Sequence, residues 1–296
     1  MTADLDAALP APDLSAVRAL LLDMDGVLVL KGKPLPGAAE AVSTLLRRGI
    51  PFRVLTNSSL WSRDTLARRL QAGGLPIEPS SMVTALSASA ELARRRWPGR
   101  PLYVLSAPDA LREFEGQQLL ADEQASADSA SAAAVIVGDA GPGFTWPRLN
   151  AAFRLVLGGA RLVAMHRNRW WLTPDGVTID SGAFVRALEF ATGRRALLVG
   201  KPAPGIFDAA YASLAVEGTA PDGGGALPDL PREAVLMVGD DLRSDVAGAR
   251  RSGLRAAFVL SGKQGPADLA AARRRGSADL PDVVAGSLSD LVRALD

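Results

Sequence analysis

The 296-residue sequence contains no cysteine, a single histidine and only four lysines. Without cysteine there can be no disulfides, thiol chemistry or cysteine-rich zinc sites, and the single His166 rules out multi-histidine metal clusters. A Ser-His-Asp arrangement could use only His166. We therefore expect any catalysis to depend on carboxylates, hydroxyls, a scarce lysine and a hard metal ion.

The charges are balanced, with 33 Lys and Arg against 32 Asp and Glu, a formal net charge of +1. This balance argues against a nucleic-acid or polybasic membrane partner. The first residues carry acids and prolines where a signal peptide has a basic end and an apolar run. The longest stretch without charged residues, 79–90, is too short to cross a bilayer. The sequence therefore predicts a soluble cytoplasmic protein.

From residue 19 onward, apolar β-rich runs alternate with helical patterns, which predicts an α/β fold with a mainly parallel sheet flanked by helices. The predicted strands are residues 19–23, 52–56, 102–105, 133–137, 162–164, 196–199, 234–238, 256–260 and 283–285. The predicted helices are residues 37–48, 63–72, 85–96, 148–157, 182–191, 205–215, 244–252 and 288–295. Two stretches rich in small residues, 121–134 and 216–231, are predicted surface loops.

The first predicted strand ends in two carboxylates, Asp23 and Asp25, followed by Gly26. Side chains two residues apart on a strand point to the same side, so both carboxylates face the edge where open α/β sheets bind ligands. One can act as nucleophile and metal ligand while the other transfers protons. Gly26 permits a turn that exposes backbone N–H groups to an anion. The alternative is an ordinary strand-ending turn.

A second group of carboxylates, Asp240, Asp241 and Asp245, follows the predicted strand 234–238. Such crowding is costly unless a cation or strong donors compensate for it. Ligation by oxygen atoms, with neither Cys nor a second His available, favours Mg²⁺. The alternative is that Asp241 and Asp245 cap the following helix.

Two further strand ends carry groups suited to phosphate. Thr56 and Asn57 end one predicted strand, and Lys201 follows another after Gly200. Hydroxyl and N–H groups can hold phosphate oxygens, and an ammonium group supplies a point charge. The alternatives are a helix cap or turn at Thr56 and Asn57, and an ordinary surface lysine at Lys201.

Taken in their order along the chain, these four signals resemble the four motifs of the haloacid dehalogenase (HAD) superfamily. The roughly 145 residues between Thr56 and Lys201 leave room for an inserted cap domain, as in the NagD-like class IIA branch. Within that branch the sequence most resembles the phospholysine phosphohistidine inorganic pyrophosphate phosphatase group, in which an Arg-Tyr-Tyr segment stands where this sequence has Arg169-Trp170-Trp171. The resemblance implies a Rossmann-like core with a parallel sheet and an α/β cap of the C2 type. The predicted divisions are a loose leader at 1–16, the core at 17–82 and 197–296, and the cap at 83–196.

The resemblance implies that Asp23 attacks phosphorus to form an aspartyl-phosphate. Asp25 would protonate the leaving oxygen and then activate water. Mg²⁺ would be held by the Asp23 carboxylate, the Asp25 backbone carbonyl and Asp240. Asp241 and Asp245 would lie behind these groups and orient them.

The resemblance also implies contacts to the transferred phosphoryl group. Thr56, the Asn57 backbone and Lys201 would make them, assisted by the backbone from Met24 to Gly26. The implied function is that of a Mg²⁺-dependent phosphatase that hydrolyses a small phosphorylated metabolite. Pyrophosphate is one of the substrates that the sequence leaves open. The alternatives are a phosphotransferase or mutase that uses the same aspartyl-phosphate, and a non-catalytic phospholigand-binding protein on the same fold.

The cap segment around the only histidine has two interpretations. His166, Arg167, Arg169 and Trp170 are predicted substrate contacts, because aromatic rings and guanidinium groups suit a leaving group. Alternatively, the tryptophans lie in a cap strand and neighbouring side chains satisfy His166. The resemblance further suggests a homodimer formed through the cap. A Gly-rich stretch near Gly223 is predicted to be a local insertion.

Overall fold

The computed structural model describes residues 13–217, 230–276 and 280–295. Within them the strands are β1 (Ala19–Leu22), β2 (Val29–Leu30), β3 (Lys33–Pro34), β4 (Phe52–Thr56), β5 (Met82–Thr84), β6 (Leu102–Leu105), β7 (Ala134–Val137), β8 (Arg161–Ala164), β9 (Trp170–Thr173), β10 (Gly176–Ile179), β11 (Leu197–Leu198), β12 (Val235–Gly239), β13 (Arg255–Val259) and β14 (Val283–Ala285).

The α-helices of the described residues are α1 (Ala38–Arg47), α2 (Arg63–Ala72), α3 (Ala85–Arg96), α4 (Asp122–Ser126), α5 (Trp146–Leu157), α6 (Ser181–Thr192), α7 (Pro204–Glu217), α8 (Ala247–Arg251), α9 (Pro266–Arg274) and α10 (Leu288–Arg293). A π-helical turn, Leu242–Val246, leads directly into α8. None of the helices in these segments is both long and apolar enough to span a bilayer.

The chain forms two compact units. The first comprises Met1–Arg53 and Ala210–Asp296, and the second is Val54–Ala209. β4 and α7 cross the division. The predicted core and cap boundaries, which lie at other residues, stay a prediction.

The first unit is built on parallel strands in the order β14-β13-β12-β1. Every residue of β1 and β12 is buried, as expected for strands covered on both faces, where continuous apolar runs replace alternation. The Leu20 N–H donates to the Pro51 carbonyl at 3.0 Å, so the chain enters β4 beside β1. Helices α1 and α10 pack against each other. The predicted parallel α/β architecture is confirmed.

The second unit has its own parallel sheet, in the order β11-β8-β7-β6. Residues of β7 and β8 pack with α5 and α6 in a continuous buried cluster that includes Val135, Leu162 and Val185. The end of β4 pairs in parallel with β5. β9 and β10 form an antiparallel hairpin on which Trp170 faces Ile179 across the strands.

All nine predicted strands are present, and no strand end differs from its prediction by more than one residue. The prediction omitted α9, β5 and the hairpins β2–β3 and β9–β10, which are short or lack sustained apolar alternation. The predicted helix 244–252 is corrected to the π-helical turn followed by α8, and the predicted loop 121–134 contains α4. Residues 1–12 of the predicted leader and 218–229 of the second loop, with Gly223, lie outside the described residues.

Candidate functional site

Three buried carboxylates of the first unit meet beyond the ends of two neighbouring strands. They belong to Asp23, Asp240 and Asp245, hereafter the Asp cluster, and each offers an oxygen within 4.8 Å of the others. β1 and β12 pair in register up to Leu22 and Val238, so the residues that follow the two strands emerge side by side. The three residues are 8%, 5% and 0% exposed, so their charges need local compensation.

Two glycines make room for the Asp240 carboxylate. A Cβ built on Gly26 would lie 2.2 Å from Asp240 Oδ2, and one built on Gly262 would lie 1.9 Å from the same atom. Gly26 also has a φ of +79°, which disfavours any residue with a side chain. Gly239 likewise makes room for Asp245, because a Cβ built on Gly239 would lie 2.3 Å from the Cβ of Asp245. The backbone is therefore shaped around these two carboxylates.

The loop after β13 holds the acidic segment in place. The Lys263 N–H donates to Asp240 Oδ2 at 2.7 Å, and the Leu242 N–H donates to Gln264 Oε1 at 2.7 Å. The Ser261 hydroxyl donates to the Gly26 carbonyl at 2.7 Å. None of the site residues predicted from the sequence lies in this loop. A signal existed, because Lys263 is one of only four lysines and follows a predicted strand end.

Asp241 links that loop to the helical turn after it. Its Oδ1 accepts the Arg243 and Ser244 N–H groups at 2.9 and 2.8 Å, so it caps the turn as the alternative interpretation predicted. Its Oδ2 lies 2.5 Å from Lys263 Nζ. Burial raises the pKa of Asp241, but the Lys263 charge and these hydrogen bonds outweigh it, and the pKa falls below its ordinary value. Burial lowers the pKa of Lys263, but Asp241, Asp240 and Asp245 together raise it above its ordinary value.

The Asp cluster suits a hard divalent cation. Its donors are carboxylate oxygens, the ligands that Mg²⁺ prefers, and the glycine-lined space around Asp240 fixes one of them in place. The family resemblance implies Asp23, Asp240 and the Asp25 carbonyl as ligands, with Asp245 behind them. The structure brings the Asp245 carboxylate into the cluster itself, because the π-helical turn returns it over Gly239.

The side chain of Asp25 differs from that of Asp23 in being exposed. An exposed carboxyl group exchanges protons with solvent readily, as proton transfer requires. The Met24 N–H donates to Asp23 Oδ1 at 2.7 Å, and the Gly26 N–H donates to the Val29 carbonyl at 2.7 Å. The phosphate-binding role of the Met24 and Gly26 backbone stays a prediction.

In the second unit, the structure brings Asn57 and Lys201 together. Asn57 Nδ2 donates to the Lys201 carbonyl at 3.0 Å. Gly200 permits this approach, because a Cβ there would lie 2.5 Å from Asn57 Oδ1. Thr56 is buried at the end of β4, where its hydroxyl oxygen accepts the Ser58 N–H at 3.1 Å. Lys201 is only 3% exposed, so it is not an ordinary surface lysine.

His166 is buried among polar side chains of the second unit. Its Nε2 lies 2.9 Å from the Ser59 hydroxyl oxygen, 3.2 Å from that of Ser181 and 3.7 Å from Asp180 Oδ1. Ser59 Oγ also accepts the Asp139 N–H at 2.9 Å. Neighbouring side chains therefore surround His166, as the second interpretation of this segment expected.

The other predicted cap contacts differ in their surroundings. Arg167 donates to Glu189 Oε1 at 2.6 Å and to the Ala196 carbonyl at 2.9 Å. Arg169 and Trp170 are exposed. Contact between these residues and a substrate stays a prediction.

Two family models match separate parts of the chain. A model described as haloacid dehalogenase-like hydrolase matches residues 20–119, and one described as HAD-hydrolase-like matches residues 198–291. Haloacid dehalogenase-like hydrolase domain-containing protein 2 of Bos taurus is 34% identical over 253 residues, which cover 86% of this chain and 88% of the relative. Phospholysine phosphohistidine inorganic pyrophosphate phosphatase of Xenopus laevis is 31% identical over 261 residues, covering 86% and 87%.

Several solved structures have a fold similar to that of this chain over nearly its whole length. The 4-nitrophenylphosphatase of Thermotoga maritima has a TM-score of 0.81 at 27% identity, covering 96% of this chain and 99% of its own. NagD of E. coli K-12 has a TM-score of 0.75 at 26% identity, covering 93% and 98%. A glycerol phosphate phosphatase of Mycobacterium tuberculosis, solved in complex with magnesium, has a TM-score of 0.77 at 25% identity, covering 96% and 78%.

Proposed function

The chain belongs to the haloacid dehalogenase-like hydrolases, in their NagD-like branch, and on this premise we propose that it is a Mg²⁺-dependent phosphatase acting through an aspartyl-phosphate. Its substrate is a small phosphorylated metabolite. The observation that carries the proposal is the Asp cluster at the ends of β1 and β12, with the exposed Asp25 two residues after Asp23.

Asp23 and Asp240, with the Asp25 backbone carbonyl, would hold Mg²⁺, and Asp245 would orient them from within the cluster. When bound, the cation lowers the repulsion between an anionic nucleophile and a phosphate. The relative solved with magnesium is consistent with this choice of ion. The family motif supplies Thr56, Asn57 and Lys201 as the proposed ligands of the phosphoryl oxygens.

The two carboxylates of the first motif, Asp23 and Asp25, have different roles in the proposed reaction. An Asp23 carboxylate oxygen attacks phosphorus, and the bond from phosphorus to the leaving oxygen breaks as Asp25 gives that oxygen a proton. Asp25, now ionised, takes a proton from water, which attacks the phosphorus of the aspartyl-phosphate. The phosphorus–Asp23 bond breaks, inorganic phosphate leaves, and both carboxylates return to their starting states.

The orientation of Asp23 fits its proposed role as nucleophile. The Met24 N–H donates to Oδ1 at 2.7 Å, which restrains the orientation of the carboxylate. The second oxygen is then the candidate for attack. Asp25 is exposed, so its carboxyl group is open to the leaving oxygen of a substrate and then to the attacking water.

The test is phosphate release by the full-length protein, with and without Mg²⁺. The panel comprises 4-nitrophenyl phosphate, glycerol phosphate, pyrophosphate and phosphorylated lysine and histidine, the compounds that the names of the relatives suggest. We expect Mg²⁺-dependent release that falls by about 10⁴-fold or more in Asp23→Asn, since a nucleophile is lost. That variant should unfold at the wild-type temperature, because Asn keeps the oxygen that accepts the Met24 N–H.

Full activity in Asp23→Asn would contradict the nucleophile assignment. Phosphoryl transfer to added alcohols that outpaces release to water would favour the phosphotransferase alternative. Phosphate binding without turnover on every compound would favour a phospholigand-binding protein.

A further inference from the structure

The loop that follows β13, residues 261–264, contacts the acidic segment at three consecutive residues. Its Lys263 N–H binds Asp240, its Lys263 ammonium binds Asp241, and its Gln264 side chain accepts the Leu242 N–H. This short loop therefore binds residues that lie more than twenty positions earlier in the chain. The family motifs that define the proposed function do not include this loop.

The negative charges around the Asp cluster explain why a positively charged side chain is useful in this loop. Asp23, Asp240, Asp241 and Asp245 place four carboxylates in one small region, three of them mutually within 4.8 Å. A divalent cation offsets two of these charges, and a phosphate dianion then approaches a region that is still negative. Lys263 Nζ, 2.5 Å from Asp241 Oδ2, offsets a third.

We propose that Lys263 is a positioning residue of the proposed phosphatase, which acts through Asp241 to balance the charge of the Asp cluster. It thereby favours the binding of the anionic substrate at the expense of some affinity for the metal ion. The proposal rests on the proposed function, since a negative substrate is what makes the balance useful.

A purely structural ion pair is the alternative. The Lys263 side chain is 38% exposed, and exposed ion pairs contribute little to stability. A structural pair would change the unfolding temperature slightly and leave the affinities for Mg²⁺ and substrate as they are. A charge-balancing lysine would instead change these two affinities in opposite directions.

The experiment compares Lys263→Gln with Lys263→Arg in the full-length protein. Gln can still donate a hydrogen bond to Asp241 but carries no charge, whereas Arg keeps the charge. Lys33→Gln removes the same charge from an exposed residue of the β2–β3 hairpin and serves as the matched control. Mg²⁺ affinity is measured by calorimetry without substrate, and KM and kcat are measured on the best substrate of the panel at saturating Mg²⁺.

We expect Lys263→Gln to bind Mg²⁺ about threefold to tenfold more tightly, because a nearby positive charge is gone. Its KM should rise by about tenfold with a smaller change in kcat, since mainly ground-state binding of the anion is lost. Both effects should shrink in 1 M salt, which screens charges beyond roughly 3 Å. Lys263→Arg should restore wild-type values, and Lys33→Gln should show neither effect.

Unchanged or weaker Mg²⁺ binding in Lys263→Gln would overturn the proposal, as would an unchanged KM. The calorimetric measurement needs no turnover. If the wild-type protein hydrolyses nothing on the panel, the proposed function fails, while the change in Mg²⁺ affinity still decides whether Lys263 balances the cluster.

Discussion

The Asp240 carboxylate lies against the backbone of Gly262, with its Oδ2 only 1.9 Å from the point that a Cβ on the glycine would occupy. The same oxygen accepts the N–H of the next residue, Lys263, at 2.7 Å. A residue with a side chain at position 262 would push the carboxylate away from Asp23 and Asp245. The geometry of the Asp cluster therefore depends on a glycine from a distant loop.

Gly262→Ala should displace Asp240 and weaken Mg²⁺ binding by about 10- to 100-fold, the usual cost of disturbing groups that orient a metal ligand. Phosphatase activity should fall with it and recover in part at high Mg²⁺ concentration. Calorimetry and the Mg²⁺ dependence of phosphate release measure the two effects. Gly265→Ala is the matched control, because Gly265 directly follows that loop and a Cβ there meets open space. Equal Mg²⁺ affinities for the two variants would contradict the steric argument.

Asp25→Asn separates the two half-reactions. Losing a proton-transfer group typically lowers rates by about 10² to 10⁴, and we expect phosphate release to fall by that amount. Because Asp23 is intact and Asn cannot activate water, the phosphorylated enzyme should accumulate on substrates with good leaving groups. Rapid acid quenching with radiolabelled substrate measures it, and Asp23→Asn should retain no label. Wild-type rates of release in Asp25→Asn would show that Asp25 transfers no proton.

The strand ends that carry the carboxylates were predictable from the sequence. β1 and β12 are continuous apolar runs, which predict buried strands, and each is followed directly by an aspartate. Parallel pairing brings the two strand ends to one edge of the sheet. The predicted residues Asp23 and Asp240 accordingly lie together.

The partners of these carboxylates could not be predicted in the same way. Lys263 and Gln264 bind the segment after β12 through single hydrogen bonds across more than twenty residues, and such contacts leave no periodic signal in the sequence. The place of Asp245 depends on a π-helical turn where an ordinary helix was predicted. An extra residue in the turn changes which side chain faces the cluster.

Glu189 is expected to stabilise the second unit in a pH-dependent manner. Burial raises the pKa of this carboxyl, but the Ala196 N–H and the charges of Arg186 and Arg167 outweigh it and hold the pKa below its ordinary value of 4.5. A depressed pKa contributes stability above the unfolded value that is lost as pH falls through the folded one. Glu189→Gln should therefore lower the free energy of unfolding at pH 7 by about 1–3 kcal/mol.

The difference between wild type and Glu189→Gln should shrink as the pH is lowered from about 5 to about 3, since both then carry a neutral side chain. Urea unfolding at each pH measures it. Glu115→Gln, at an exposed position of the same unit, is the control and should show no such trend. A difference that stays constant across this range would mean that the Glu189 charge contributes nothing.

Ser59→Ala decides between the two interpretations of His166. It removes the hydroxyl that bonds His166 Nε2 and accepts the Asp139 N–H, which leaves that N–H without this partner and His166 Nε2 with the longer contact to the Ser181 hydroxyl. We expect the free energy of unfolding to fall by about 1–3 kcal/mol while kcat/KM changes less than about twofold, because His166 is then a structural residue. Ser131→Ala, at an exposed position, should change neither quantity. A large fall in kcat/KM with unchanged stability would instead restore His166 as a substrate contact.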